Sequence, residues 1–388
     1  MKKKVTKSLL PILFGFFVMG FCDIVGISSD YVQRSFNWSP MMTGFVPSMV
    51  FIWFLFLGIP IGNKMNQWGR KNTVLLSMAI TIVGMLLPLF AYGSVTCMMA
   101  YALLGIGNAI LQVSLNPLLS NVISNSAYLT SSLTAGQVVK AISSLAGPEI
   151  VLLAVNHFGA DKWYYCFPIL GLITVLSAVW LLATPIKHEN VSEVENFISV
   201  ADTFGLLKNR SILLLFMGIF FIVGVDVATN FISSKLMAVR FGWSDEQMKF
   251  APQVYFLCRT FGALLGAFLL TRISGIKYFK VNIIACILSF LILIFVDCAL
   301  VNLVCIGCVG FFASSVFPII YSMGLQVRPD KANQISGLMI TAIAGGGVVT
   351  PVIGFAIGEV GIIGGAVVTL FCVCYLAYCA FGIRTVDN

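Results

Sequence analysis

The sequence predicts an all-α membrane protein with about twelve transmembrane helices in two six-helix, pseudo-symmetric halves. Three observations predict it. Hydrophobic residues make up 59% of the 388 positions and charged residues 10%, against about 25% charged in soluble domains. The apolar residues gather into continuous runs of roughly 20, the length a helix needs to cross a bilayer. And one local pattern occurs twice: Phe16-Phe17-Val18-Met19-Gly20, Asp23, Phe36-Asn37-Trp38-Ser39 and Pro47 return as Phe220-Phe221-Ile222-Val223-Gly224, Asp226, Phe241-Gly242-Trp243-Ser244 and Pro252. The offset is nearly constant, since 220 − 16 = 204, 243 − 38 = 205 and 252 − 47 = 205.

The expected spans fall at 8–29, 41–62, 72–92, 96–122, 129–156, 164–184, 211–235, 247–272, 278–296, 299–327, 332–358 and 362–384. They are apolar without alternation, which excludes a β-barrel reading, where period two is required. The polar stretch 185–210, with Lys187, His188, Glu189, Glu193, Glu195 and Asp202, divides 1–184 from 211–388 as a cytoplasmic linker between two six-helix bundles. A membrane chain made of two parallel copies places its substrate path between them, because the repeats move against each other to alternate access. This favours a carrier over an enzyme.

The formal charge of +8 is distributed as topology rather than as a nucleic-acid footprint. Lys2, Lys3, Lys4 and Lys7 precede the first span. Lys64, Arg70 and Lys71 follow the second, and Lys187, Lys208 and Arg210 the sixth. Arg272, Lys277 and Lys280 follow the eighth, Arg328 and Lys331 the tenth, and Arg384 the last. With alternating spans all of these share one side, which the positive-inside rule makes the cytoplasm, so both termini are expected there. The Lys-rich start resembles a signal peptide, but Asp23 interrupts the run and the same stretch returns internally near 220, so an uncleaved span is expected.

The eleven cysteines, Cys305 and Cys308 among them, are scattered through apolar segments with no second ligand pair, and read as packing. No metal and no cofactor is implied. The Gly345-Gly346-Gly347 run lacks the Lys-Ser/Thr of a phosphate cradle and, with Pro351 behind it, loosens a helix.

Gly62-Asn63-Lys64-Met65-Asn66-Gln67-Trp68-Gly69-Arg70-Lys71 resembles the cytoplasmic loop motif of the major facilitator superfamily: a glycine, then an acid, then Gly-Arg-Lys. The resemblance implies a conformational latch at Gly62, Asn66, Gly69, Arg70 and Lys71. Asn66 stands where the acid is expected, and an amide can cap a helix but brings no charge. Further on, Gly105, Gly107, Leu111-Gln112-Val113-Ser114-Leu115-Asn116-Pro117 and Ser132-Leu133-Thr134 with Gln137 resemble the fucose–proton symporter and glucose/galactose transporter family. So do Ser314-Ser315-Val316-Phe317-Pro318, Ser336-Gly337-Leu338-Met339-Ile340, Gly345-Gly346 and Pro351 in the second half, with Asp226 in place of the usual Glu. This resemblance implies the major facilitator fold, a central sugar site, and uptake of a monosaccharide or sugar derivative coupled to a cation, H⁺ or Na⁺. It further implies a multi-pass protein of a bacterial inner membrane, acting as a monomer, with the lipid bilayer as its surroundings.

Ionisable residues inside spans are costly and mark transport paths. Asp23, Asp226 and Arg259 are therefore candidates for ion coupling or gating, Lys140, about 16 Å into the fifth span, for substrate binding, and Glu149 is expected at the outer mouth. Gln112, Asn116, Gln137 and Asn230 offer amide donors and acceptors that suit sugar hydroxyls; buried amides also simply cross-link helices. The chain departs from the symporter pattern where Gly26 and Ile27 replace an Asn-Asp pair, where Gln112 replaces a Glu, and where Lys140 replaces an Asn. A proton on Asp23 would release Lys140, and a carboxylate substrate could take its place. Two rivals stand beside this reading. An exporter of drugs or other small molecules would favour a cavity lined by Phe and Met. A non-translocating sugar sensor would need a further cytoplasmic domain.

Overall fold

A computed structural model of the chain describes residues 2–38, 40–123, 126–186, 199–244, 247 and 250–383. Ser39 of the repeat, Lys187, His188, Glu189, Glu193 and Glu195 of the expected linker, and Arg384 lie outside them. The described residues form helices and no strand: α1 Lys2–Met19, α2 Val25–Phe36, α3 Pro40–Trp68, α4 Arg70–Phe90, α5 Ser94–Val122, α6 Ser126–Phe158, α7 Cys166–Ala183 and the short α8 Val200–Gly205 come first. Then follow α9 Arg210–Phe241, α10 Phe250–Leu269, α11 Gly275–Phe295, α12 Ala299–Ala313, α13 Val316–Val327, α14 Ala332–Thr341, α15 Gly345–Val360 and α16 Ile362–Gly382.

Each of the expected spans contains a helix. Ten stretches are long and apolar enough to cross a bilayer among the described residues. In the first span the described side chains give an apolar stretch over Ser8–Ile24, whose last five residues, Gly20–Ile24, form a 3₁₀ turn. The eighth falls short because Pro252, Gln253 and Arg259 dilute α10.

The duplicated pattern turns out to encode the same helix stop twice. Asn37 follows α2 at φ 49°, and Gly242 follows α9 at φ 67°, 205 residues later (242 − 37). Both sit in the left-handed region, which glycine enters without a Cβ clash and asparagine more readily than most residues. At Gly242 the N–H donates to the Ala238 carbonyl at 3.0 Å, the 5→1 bond of the αL cap, and Trp243 N–H reaches back to Met237 at 3.3 Å. At the other end of α9, the Asn209 side chain accepts from Ser211 N and Ile212 N at 2.9 and 3.3 Å, an N-cap of the ordinary kind.

Two spans are broken in mid-course. Pro318 cannot donate back to the Ser314 carbonyl, so α12 and α13 separate at Ser314-Ser315. Between α14 and α15 lies a 3₁₀ turn, Ala342–Ala344. There Gly345 lets α15 approach α9 so closely that a Cβ would stand 2.1 Å from the Phe220 carbonyl oxygen.

The chain divides into two compact units that are not contiguous in sequence. The first comprises Met1–Ser124, Gly136–Phe204 and Asp330–Thr341; the second Asn125–Ala135, Gly205–Pro329 and Ala342–Asn388. In the first unit α4 packs on α5 and α7, and α14 lies along α3 and α5. Its core holds Phe16, Phe54, Tyr101, Trp163 and Phe167, all under 2% exposed. In the second, α10 packs on α12, and α15 and α16 on α9, around Tyr255, Phe279, Phe290 and Tyr321.

Candidate functional site

In the first unit the polar groups of the spans collect where the 3₁₀ turn of the first span meets α6. Gly20 makes the approach possible, since a Cβ there would stand 2.6 Å from the Lys140 carbonyl oxygen and 2.8 Å from Ser143 Oγ. Asp23 leaves this turn exposed. Its Oδ1 accepts from the Cys22 thiol at 3.3 Å and its Oδ2 accepts from Ser144 Oγ. Ser144 sits one turn after Lys140, whose side chain is half-buried. Asp23 and Lys140 both act electrostatically on the Cys22 thiol, yet among the described residues no carboxylate lies within 4.0 Å of the Lys140 ammonium.

Beside them α5 carries amides at every fourth position. Asn108, Gln112 and Asn116 are all buried, and a spacing of four puts them on one helix face. Asn116 Nδ2 is spent within its own helix on the Gln112 carbonyl, at 2.9 Å. Its Oδ1 is buried with no hydrogen-bond partner, and the buried amide of Asn108 has no neighbour to bond but the Cys22 thiol. Gln137 lies half-buried on α6, one turn before Lys140. Asn108 was not among the residues singled out by the sequence; its signal was the four-residue spacing ahead of Gln112.

In the second unit Asp226 on α9 pairs with Arg259 on α10. Arg259 Nη2 lies 2.9 Å from Asp226 Oδ2, with the two side chains 36% and 27% exposed. The other carboxylate oxygen accepts from the hydroxyl of Tyr255, which is fully buried. Tyr255 precedes Arg259 by one turn, so both reach the same carboxylate from one face of α10. Asn230, one turn beyond Asp226, is half-buried, and its carbonyl accepts from Ser233 Oγ at 2.9 Å.

The loop motif is built around Asn333 of α14. Asn333 Nδ2 donates to Asn66 Oδ1, and Asn333 Oδ1 accepts from Arg70 Nε at 2.8 Å. Arg70 Nη1 also donates to the Pro117 carbonyl at 3.1 Å, to Ser120 Oγ at 3.3 Å and to Asn121 Oδ1. The guanidinium thus closes the carboxyl-terminal end of α5, where unsatisfied carbonyls and the helix dipole favour a cation. Lys71 does the same for α7, donating to Leu182 O and Thr184 O at 3.0 and 2.8 Å. Asn66 caps no helix: the residue before α4 is Gly69, at φ 77° with no side-chain cap. Gly62 lets α14 close in, since a Cβ there would stand 2.7 Å from the Asn333 carbonyl oxygen. Arg70→Ala is expected to lower stability by about 1–3 kcal/mol, the cost of several charge-assisted bonds, and Arg70→Lys to recover little because one ammonium cannot reach all four acceptors. Thermal unfolding in detergent measures both; equal midpoints for wild type and Arg70→Ala would refute the role.

The sequence profile of the Major Facilitator Superfamily matches residues 11–351. The chain belongs to the Major Facilitator Superfamily. It is a multi-pass membrane transporter, not an enzyme. Among curated relatives, the glucose/galactose transporter of Brucella abortus is 22% identical over 381 residues, covering 94% of this chain and 90% of its own. A putative glucose/galactose transporter of Helicobacter pylori is 24% identical over 361 residues, covering 87% and 86%. Solved structures of FucP, the E. coli fucose:proton symporter, superimpose with TM-scores of 0.86 and 0.85 at 17% and 18% identity, covering 97% of this chain and 99% and 98% of theirs. The proton:xylose symporter XylE gives 0.77 at 12%, covering 98% and 95%. At these identities the structures establish the major facilitator fold of this transporter and nothing finer.

Proposed function

We propose that this transporter takes up a monosaccharide or close sugar derivative by cation symport, the cation being a proton, through alternating access of its two halves. The single observation that carries the reading is in the first unit. An exposed carboxylate, Asp23, stands on the 3₁₀ turn of the first span, in the same unit as the buried amide face of Asn108, Gln112 and Asn116. Amides supply the paired donors and acceptors that sugar hydroxyls use. Among the described residues this carboxylate is held by a thiol and a hydroxyl and by no cation within 4.0 Å, so a coupled cation would displace no ion pair there. Lys140, Gln137 and, in the other half, Asn230 complete the proposed substrate groups, and Asp226 with Arg259 the second coupling or gating element. The Asn66–Asn333–Arg70 network, with Gly62, Gly69 and Lys71, serves as the conformational latch. The relatives' names and the FucP and XylE folds support sugar and proton as cargo.

The basic loops support a bacterial inner membrane as its place, with both termini cytoplasmic. The two halves, 1–184 and 211–388, are joined through 185–210, and the chain acts as a monomer. Uptake of labelled D-galactose and D-glucose into proteoliposomes, with and without an inward proton gradient, tests the reading. Accumulation is expected only with the gradient. Asp23→Asn is expected to lose accumulation while keeping sugar exchange. Equal uptake in both conditions would remove the symport claim.

A further inference from the structure

We infer that the sugar bears a carboxylate, and that the Lys140 ammonium is what receives it. The inference rests on the sugar-transport reading above and narrows it. Lys140 lies 12 residues beyond Tyr128 in the span Tyr128–Phe158, about 18 Å along it and close to its middle. A cation at that depth costs several kcal/mol unless it finds an anion or faces water. In the second unit the comparable problem is solved internally, by the 2.9 Å pair of Arg259 with Asp226.

In the first unit it is not. Asp23 is the nearby acid, but Ser144 and Cys22 already donate to its two oxygens, and it does not come within 4.0 Å of the Lys140 ammonium. The surroundings are also short of partners. Ser143 Oγ, one turn from Lys140, is buried with no hydrogen bond, and the amide of Asn108, whose side chain is 3% exposed, has no neighbour to bond but the Cys22 thiol it lies against. Unmet buried polar atoms are rare in folded chains and cost about 1–3 kcal/mol each. One cation with an unmet hydroxyl and a buried amide held by no more than a thiol beside it is the complement of a carboxylate flanked by hydroxyls. Charge-assisted hydrogen bonds to a carboxylate are about twice as strong as neutral ones. A neutral hexose would satisfy the amide and the hydroxyl but leave the ammonium without its counter-charge.

The test uses the purified full chain and two sugars that differ only at C6, D-galacturonate and D-galactose, titrated by calorimetry. The wild type is expected to bind galacturonate about 10- to 100-fold more tightly, the span that one charge-assisted contact supplies. Lys140→Gln should erase the preference, bringing the two affinities together, and Lys140→Arg should keep it. Equal wild-type affinities, or a preference that survives Lys140→Gln, overturn the inference. If Lys140→Gln does not fold, the wild-type comparison and Lys140→Arg decide alone. Binding and transport of galactose without galacturonate would sink the carboxylate while leaving sugar symport standing. Binding of neither would sink both.

Discussion

Arg259→Ala should abolish transport and lower stability by about 1–3 kcal/mol, a range reduced from that of fully buried pairs because both partners are partly exposed. The substitution removes the cation 2.9 Å from Asp226 and leaves a carboxylate inside a span, held only by the Tyr255 hydroxyl. Removing both charges is expected to behave differently. Asp226→Asn with Arg259→Gln should recover most of the stability, since no uncompensated charge remains, and yet transport nothing if the pair takes part in coupling. Thermal unfolding reads the first quantity and proteoliposome uptake the second. A double variant that transports normally would reduce the pair to a tie between α9 and α10.

The two carboxylates show how far the repeat could be read. Asp23 and Asp226 lie 203 residues apart (226 − 23), within two residues of the repeat's offset, and the structure puts both on spans with polar partners. The partners differ, however. Tyr255 and Arg259, counted back by 205, fall on Val50 and Phe54. The first copy therefore has no counterpart of the Arg259 pair, and Asp23 turns instead to Ser144 on α6. Duplication preserves backbone features such as the left-handed stops at Asn37 and Gly242, because they depend on one residue each. A hydrogen-bonded pair depends on two residues from separate spans, so either can drift. Hydropathy made the spans legible for a related reason: a continuous apolar run has one stable form in lipid, where every backbone group must be satisfied internally.

Other parts were not legible. That Ala332–Thr341 joins the unit of the first half, against α3 and α5, follows from tertiary packing and not from chain order. Asn333 was accordingly invisible as the centre of the loop network, although Asn66, Arg70 and Lys71 were marked by their motif. In Asn66 the pattern misled in one respect. A cap to the next helix was the obvious use for an amide there, but Gly69 at φ 77° takes the position before α4, so the amide reaches Asn333.

Gly337→Val carries the other large expected effect: loss of uptake, with destabilisation of about 1–3 kcal/mol or more. Gly58 and Gly62 on α3 are four residues apart and so share a face, the small-xxx-small spacing that lets two helices touch backbone to backbone. Gly337 of α14 meets that face. A Cβ on Gly337 would stand 2.4 Å from the Gly58 carbonyl oxygen, and one on Gly58 would stand 2.2 Å from Thr341 Oγ1 and 2.8 Å from the Gly337 carbonyl oxygen. Carbonyl oxygens cannot swing aside as a flexible side chain can, so α14 must lift off α3. Lifting it separates Asn333 from Asn66 and Arg70, and takes the Ser336 hydroxyl from the Val113 carbonyl on α5. The variant thus removes packing and latch together, whereas Arg70→Ala removes bonds alone and should cost less. Gly347→Ala is the control, since nothing lies within 4 Å of its added Cβ; its uptake and unfolding midpoint are expected to match the wild type. If Gly337→Val also transports and unfolds like the wild type, α14 does not need this contact, and the latch at Asn66 and Arg70 has no helix to hold.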